Sequence, residues 1–340
     1  MVLVTGATGI LGRVIVLELL KRGKTVRAAK RPSSNLQEVQ ASFRFYVPNP
    51  AEVFSKIEWM DVDFEDLTSI EKALQNVDEV YHCAAQVSFN PQDRSQLFNI
   101  NVEGTKQLLY ACENSQVQKF LYVSSIAVLD NPNDSGELDE DSDFNPKLDH
   151  SDYALSKHLA EMEVWRASAE GMNTVIINPG IIIGSGNWQR SSGTLFPTFE
   201  RNSYTFSGGS YYVDVRDVAK IAVELMEQNH FGERFLIVAE GKGYAELGNK
   251  VRRLLGIRPA KQVPDHVLKV APYISMAFGW LIPQLQIATR SNIEAVTSFK
   301  TMSNQKVISA LDYHFIPVEQ SVDFHLKNYI ADTKNGTKQI

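Results

Sequence analysis

VLVTGATGILG, residues 2–12, runs from four residues of strand character into three glycines spaced three apart, and from there into the amphipathic run ILGRVIVLELLKRG. A strand, a glycine-rich turn and a helix in immediate succession bring backbone N–H groups and a positive helix N-terminus to one point, which is how a protein approaches a pyrophosphate. The expected contact residues of this turn are Gly6, Thr8, Gly9, Ile10, Leu11 and Gly12. The spacing departs from G-x-G-x-x-G, but the strand–turn–helix context that the motif requires is present.

Outward from this turn the chain keeps the same rhythm. Strand candidates are VLVT (2–5), TVRAA (25–29), IEWM (57–60), EVYHC (79–83), FLYVS (120–124) and TVIIN (174–178). Helical patterns fall between most of them: ILGRVIVLELLKRG, TSIEKALQN, LFNINVEGTKQLLYACENS and the run that begins near Tyr153. Strand alternating with helix predicts an α/β protein, a Rossmann-type doubly wound parallel sheet with helices on both faces. Residues 31–55, broken by Pro32, Pro48 and Pro50, read as an irregular excursion, and 184–210 as loop. Residues 1–180 are the expected dinucleotide-binding domain, with 212–240 returning to it. Residues 181–211 and 241–330 form a smaller, mostly helical substrate lobe, and 331–340 a tail.

Composition narrows the function. A hydrophobic fraction of 44% with 22% charged residues is that of a globular enzyme or binding protein, and a net charge of -6 argues against nucleic acid as a partner. Two cysteines, Cys83 and Cys112, imply no disulfide framework or cysteine metal cluster, and no metal site is expected. MVLVTG enters a strand with no leader-like stretch, so the cytoplasm is the expected compartment. The apolar run 266–285 is interrupted by Lys269, Pro272 and Pro283. Membrane association is therefore not expected, and helices packed over a substrate cleft are.

The end of the second strand reads AAKRPSS. An acid there would hold the ribose 2'-hydroxyl of NAD; Lys30 and Arg31 stand in its place and suit the 2'-phosphate of NADP. NADP is the expected dinucleotide and NAD the alternative. VDFED sets Asp63, with Phe64 beside it, on the loop after the third strand, where a carboxylate can accept from an adenine amino group or simply serve its own turn. Ala84 and Ala85 after the fourth strand are small enough for a planar ring to pass close to the backbone.

YALSK places Tyr153 and Lys157 one helical turn apart, behind a cap at Ser151 or Asp152, so both polar tips reach one spot. A neighbouring ammonium lowers a phenol pKa, which would make the pair a tuned proton donor and acceptor.

Taken together, TGATGILG, VDFED, HCAA, NVEGT (101–105), YVSSIAV (122–128), YALSK, NPGIIIGSG (178–186) and YVDVRDVA (212–219) resemble, in order and spacing, the extended short-chain dehydrogenase/reductase superfamily over nearly the whole chain. Within it the chain looks most like the branch of dihydroflavonol reductases, 3β-hydroxysteroid dehydrogenases and bacterial carbonyl reductases, generically called NAD-dependent epimerase/dehydratases. The resemblance implies that Tyr153 is the general acid/base and that Lys157 lowers its pKa and holds the nicotinamide ribose. It also implies that a serine of YVSSIAV binds the reacting oxygen: Ser125 is the choice, with Ser124 as alternative and cofactor neighbour. Pro179 would lie near the nicotinamide, and Asn101 would support the site.

The function so implied is NAD(P)-dependent reduction of a carbonyl, or oxidation of a secondary alcohol. The alternatives are a sugar-nucleotide epimerase/dehydratase with tightly bound NAD and a noncatalytic NADP-sensing protein. The Gln-x-Arg-Asp element common in sugar-nucleotide enzymes is missing before Tyr212, although Arg190 or Arg201 could substitute. Trp188, Phe196, Tyr211, Phe278 and Trp280 point to an apolar or aromatic small-molecule substrate. Helices 94–115 and 153–170 are candidates for pairing in a homodimer.

Overall fold

The computed structural model describes residues 1–278 and 283–336. Its centre is a sheet of seven parallel strands. The first six are β1 (Val2–Thr5), β2 (Val26–Lys30), β3 (Glu58–Asp61), β4 (Glu79–His82), β5 (Lys119–Val123) and β6 (Asn173–Pro179). Strands β7 (Ile181–Ile183), β8 (Tyr204–Thr205) and β9 (Gly209–Asp214) lie outside it, and β10 (Glu233–Ile237) completes it. The spatial order is β10-β6-β5-β4-β1-β2-β3. The chain therefore starts in the middle, builds toward β3, and crosses back to β4. The order reverses between β1 and β4, and ligands of open α/β sheets bind in the crevice outside the carboxyl ends of the strands at such a point.

Side chains alternate across the sheet as the two-residue period of a strand requires. Val2, Val4, Tyr81, Leu121, Val175 and Ile177 face the buried cluster shared with helices Ile10–Lys21 and Val215–Glu227. Leu3, Val80, Phe120, Tyr122 and Ile176 face the opposite cluster, filled by Leu108, Leu109, Ala160 and Val164. Both faces are covered, which is why the strands read as continuous apolar runs rather than alternating ones.

The excursion expected to be irregular is instead two short helices, Leu36–Ser42 and Pro50–Ser55, joined by a tight turn at Phe43–Phe45. Asn35 caps the first by accepting from the Glu38 amide, and Pro50 opens the second. Pro50 starts structure here rather than breaks it, because a first-turn proline loses no hydrogen bond, while Pro32 and Pro48 lie in a turn and a bend. Residues 184–210 likewise contain the helix Leu195–Arg201 and strand β8, which pairs with β12 (Lys261–Gln262). Of the returning segment, Val215–Glu227 and β10 join the main domain. Strand β9 sits in a separate three-stranded sheet between β7 and β11 (Glu240–Gly243).

The lobe has its own core of Ile183, Phe196, Tyr212, Leu247, Val251, Val318, Val322 and Tyr329. The last helix runs Val318–Gly336, so residues 331–336, set aside as tail, are helical. It is pinned by fully buried Asp214, which accepts from Arg216 at 2.7 Å and from His325 at 3.3 Å. The apolar run near 266 forms the helix Asp265–Phe278, with Pro272 inside it. Among the described residues no helix is long and apolar enough to cross a membrane.

Candidate active site

At the mouth of β1 each glycine has a separate reason. Gly6 has φ +63°, and a Cβ there would come within 2.7 Å of the Ala84 nitrogen. Gly12 lies against the turn from inside the helix, where a Cβ would fall 2.3 Å from the Gly6 oxygen. A Cβ on Gly9 would meet only the Gly6 oxygen, at 3.1 Å, so its glycine leaves the outer surface of the turn bare. Ile10 and Leu11 are buried and anchor the helix, and Thr8 is half-buried.

Arg13 was not singled out from the sequence, yet its side chain is fully buried. It donates to the Gly9 and Thr8 carbonyls, to both Glu38 oxygens at 2.9 and 3.0 Å, and to Ser42 at 2.6 Å. The pairing with Glu38 ties the glycine turn to the first excursion helix. An arginine inside the apolar run ILGRVIV was the available signal.

The two cations after β2 have different situations. Register in the sheet sets Lys30 beside Asp61 of β3, and the two form an ion pair. Arg31 is exposed, and its guanidinium has no partner among the described contacts. Asp63 accepts from the Glu65 amide at 3.0 Å, serving its own turn. Phe64 packs edge-on to His82 and against Gly104. Ala84, with Ala85 half-buried, donates its amide to Thr5 Oγ1 at 3.2 Å. Burial pushes the Cys83 thiol up to about 12, which removes it as a nucleophile.

Ser151 caps the helix Asp152–Ala169, its side chain accepting from the Ala154 amide, so the first of the two expected caps is used. Tyr153 and Lys157 follow on one face of that helix. The helix puts Tyr153 beside Ser125 at the end of β5. Burial pushes the phenol pKa above its ordinary value, and hydrogen bonding by the Ser125 hydroxyl pulls it back.

The expected lowering by Lys157 does not govern this phenol, and no hydrogen bond joins the two among the described contacts. Lys157 is buried, donates to the Val123 carbonyl at 2.7 Å, and has its Nζ 4.1 Å from the Tyr122 ring centroid. Burial lowers its own pKa to about 7, while the charge of Glu161 works in the other direction.

The two adjacent serines divide. Ser124 is buried, donates to Glu161 Oε2 at 2.5 Å, and takes its amide to the Ile177 carbonyl. Its hydroxyl is thus spent on an interior carboxylate. Glu161, unnoticed in the sequence although it follows Lys157 by four, also accepts from Asn178 at 3.1 Å and Arg234 at 3.0 Å. Asn178 in turn donates to the Ser125 carbonyl at 3.0 Å, so this buried carboxylate underlies the serine that faces Tyr153. Pro179 ends β6, buried. Asn101 is buried within a π-helical turn, Asn99–Glu103, and bonds both backbone groups of Gln86 and the Ser156 hydroxyl.

Among the described residues, the aromatic side chains expected around a substrate do not gather in one place. Trp188 and Phe196 pack with Tyr329 in the lobe core. Trp188 also borders a cleft of about 420 Å³ with Arg201, Thr194 and Pro197, and no residue of the Ser125–Tyr153–Lys157 group lines it. Arg190 is exposed. Tyr211 lies 6.0 Å from Phe299. Trp280 is outside the described residues, as is the side chain of Phe278. The ring against Tyr153 is Phe89, at 5.8 Å, and its carbonyl accepts from Asn292 of the helix Arg290–Thr297.

Residues 2–238 match the NAD dependent epimerase/dehydratase family. The chain belongs to that family. This is the extended short-chain dehydrogenase/reductase membership that its motifs implied. Sterol demethylase protein B of Methylococcus capsulatus is 29% identical over 271 residues, 78% of each chain. The 4-hydroxy-2-methyl-3-oxo-4-farnesyl-3,4-dihydroquinoline-1-oxide ketoreductase of Stigmatella aurantiaca is 29% identical over 320 residues, 91% of this chain and 90% of its own. The crystal structure of gox2253 superposes with a TM-score of 0.82 at 25% identity, covering 98% of both chains.

Proposed function

We propose that this protein is a nicotinamide-dependent oxidoreductase that reduces a carbonyl, or oxidises the corresponding secondary alcohol, with Tyr153 as the group that moves the proton. The observation that carries the reading is the meeting of the Ser125 hydroxyl with the Tyr153 phenol, next to a buried Lys157. Membership in an epimerase/dehydratase family and the ketoreductase relative that spans 91% of the chain support it.

The residues present fit a dinucleotide. Gly9 keeps the turn bare for a pyrophosphate, and Arg31 offers an unpaired guanidinium for a 2'-phosphate; Lys30, paired with Asp61, offers less. Lys157 uses one of its three N–H donors on Val123, which leaves donors for ribose hydroxyls. Asp63 and Phe64 would flank the adenine end, and Ala84, Ala85 and Pro179 the path to the nicotinamide. When bound, the dinucleotide supplies the hydride. The protein's part is to hold the substrate oxygen between Ser125 and Tyr153, stabilise charge as it develops there, and pass the phenol proton to it. Phe89, against Tyr153 and half-exposed, favours an apolar or aromatic substrate.

A fluorescence titration with NADPH and NADH, after removal of any copurified nucleotide, tests the reading together with turnover on a panel of ketones and aldehydes. Exchangeable NADPH and ketone turnover are expected. Tightly held NAD with activity on nucleotide sugars would replace this reading by an epimerase. Dinucleotide binding without turnover of any carbonyl would replace it by a sensor.

A further inference from the structure

Behind the cofactor turn, five groups form a hydrogen-bond chain that the reaction as described does not use. Thr105 Oγ1 donates to the Asn101 carbonyl at 2.6 Å, and a carbonyl only accepts, so the single hydroxyl hydrogen is committed. Thr105 must then accept from His82 Nε2, 3.0 Å away, which fixes the imidazole hydrogen on Nε2. His82 Nδ1 accepts in consequence, and Thr5 Oγ1, at 2.7 Å, is its donor. With its hydrogen used, Thr5 accepts from the Ala84 amide at 3.2 Å. His82, Thr5, Thr105 and Asn101 are each 1% exposed.

The chain continues beyond Asn101. The Asn101 amide accepts from the Gln86 N–H at 2.8 Å and donates to Ser156 Oγ at 2.9 Å, and Ser156 donates to the Tyr153 carbonyl at 2.8 Å. Segment 84–86 is thus held at one end by Thr5 and at the other by Asn101. The π turn, in which the Gly104 amide bonds to the Asn99 oxygen, is tied to the strand end that carries Gly6.

We propose that His82 is a positioning residue. Through the chain from the Ala84 amide to the Asn101 carbonyl, it holds the π turn and the backbone of Tyr153 in register with the glycine turn. Dinucleotide binding and placement of the proton donor then depend on one set of bonds; this rests on the oxidoreductase reading above. The surroundings suit a neutral ring. Phe64, Phe120 and Tyr122 pack around His82, and burial and the charge of Lys157 hold its pKa down to about 3.

The first test is the nitrogen NMR spectrum of histidine-labelled full-length protein. His82 should show the Nε2–H tautomer, neutral from pH 5 to 9. An Nδ1–H tautomer, or protonation in that range, overturns the chain. The second test compares Thr105→Val, which keeps the shape, with Thr105→Ser, which keeps the hydroxyl. Thr105→Val should weaken the dinucleotide that wild type binds by about three- to tenfold, although Thr105 is buried, with Thr105→Ser within about twofold of wild type. Equal losses in the two variants would reduce the chain to packing and overturn the proposal. If wild type binds no dinucleotide, it is the oxidoreductase reading that fails, and the tautomer still reports on the chain. If Thr105→Val does not fold, the wild-type spectrum decides.

Discussion

The central sheet and one helix of the C-terminal lobe, Asp265–Phe278, treat apolar side chains in opposite ways. In the sheet Val4, Val80, Phe120 and Tyr122 are 0% exposed, whereas on the helix Asp265–Phe278 Val267, Val270 and Tyr273 are about half exposed and Met276 is 79% exposed. A strand covered on both faces has neighbours that fix every side chain, and a helix laid over a lobe has them on one side only. The difference teaches where precise chemistry is placed. Ser125 follows β5, Gly6 follows β1, and the helix carrying Tyr153 packs on the sheet through Ala160 and Val164, so the proposed reacting groups are held from the over-determined side. Substitutions there should cost far more than substitutions on the lobe helix.

The largest effect expected is on chemistry. Tyr153→Phe removes one oxygen from a half-buried ring and should lower turnover by about 100- to 10,000-fold, leaving dinucleotide affinity and melting temperature near wild type. Retained turnover would take Tyr153 out of the reaction. Next comes the turn. Gly12→Ala would put a Cβ 2.3 Å from the Gly6 oxygen, a backbone atom that cannot swing away. Overpacking of this kind costs about 1–3 kcal/mol, and dinucleotide binding should be lost in step with it. Urea melts and a titration on the same samples check this. An unchanged pair of values would mean that the turn has slack the sheet does not.

The buried ammonium gives a pH-dependent comparison. With its pKa at about 7 in the folded chain and about 10.4 unfolded, Lys157 binds more proton in the unfolded state between those values. Its burial cost is therefore complete below pH 7 and relieved as pH rises toward 10. Lys157→Met should be more stable than wild type at pH 6, by a margin that shrinks by pH 10. A margin independent of pH would mean that Lys157 titrates normally. Glu161 sharpens the point, because its charge raises the Lys157 pKa. Glu161→Gln should lower that pKa further, moving the alkaline fall of kcat/KM to lower pH, while Glu161→Asp, which keeps the charge, should track wild type. Coincident profiles for Gln and wild type would leave Glu161 only the hydrogen bonds it accepts from Ser124, Asn178, Arg234 and Trp165.

These same residues show how far the sequence could be read. Strands such as VLVT and NTVIINP were legible because a strand buried on both faces is a nearly continuous apolar run, and Tyr153–Lys157 because helical spacing is local. What stayed hidden depends on partners distant in the chain. Ser124 and Ser125 are separated in role by Glu161, contributed by a helix 37 residues on. Lys30 is engaged by Asp61 only because β2 and β3 pair in that register. The lowering expected from Lys157 is not among the influences on the Tyr153 phenol, which burial pushes up, and spacing does not report burial. The excursion 31–55 failed differently: Pro50, read as a breaker, opens a helix, and the sequence reading passed over Asn35, which caps the first one.

The smallest effect falls on the lobe. Helix Asp265–Phe278 is amphipathic with few charges, and by hydrophobicity alone Met276 and Val270 would rank as core. Their exposure says otherwise, since burial rather than hydrophobic character determines what a side chain contributes. Met276→Gln should then change unfolding free energy by no more than about 0.5 kcal/mol, the range of surface substitutions that touch nothing. Val80→Ala, in a strand covered on both faces, should cost about 1–3 kcal/mol, the scale of a buried valine side chain. If denaturant melts of the two variants gave similar losses, Met276 would be covered in solution, and the contrast between sheet and lobe would hold for the isolated chain but not for the protein as it exists there.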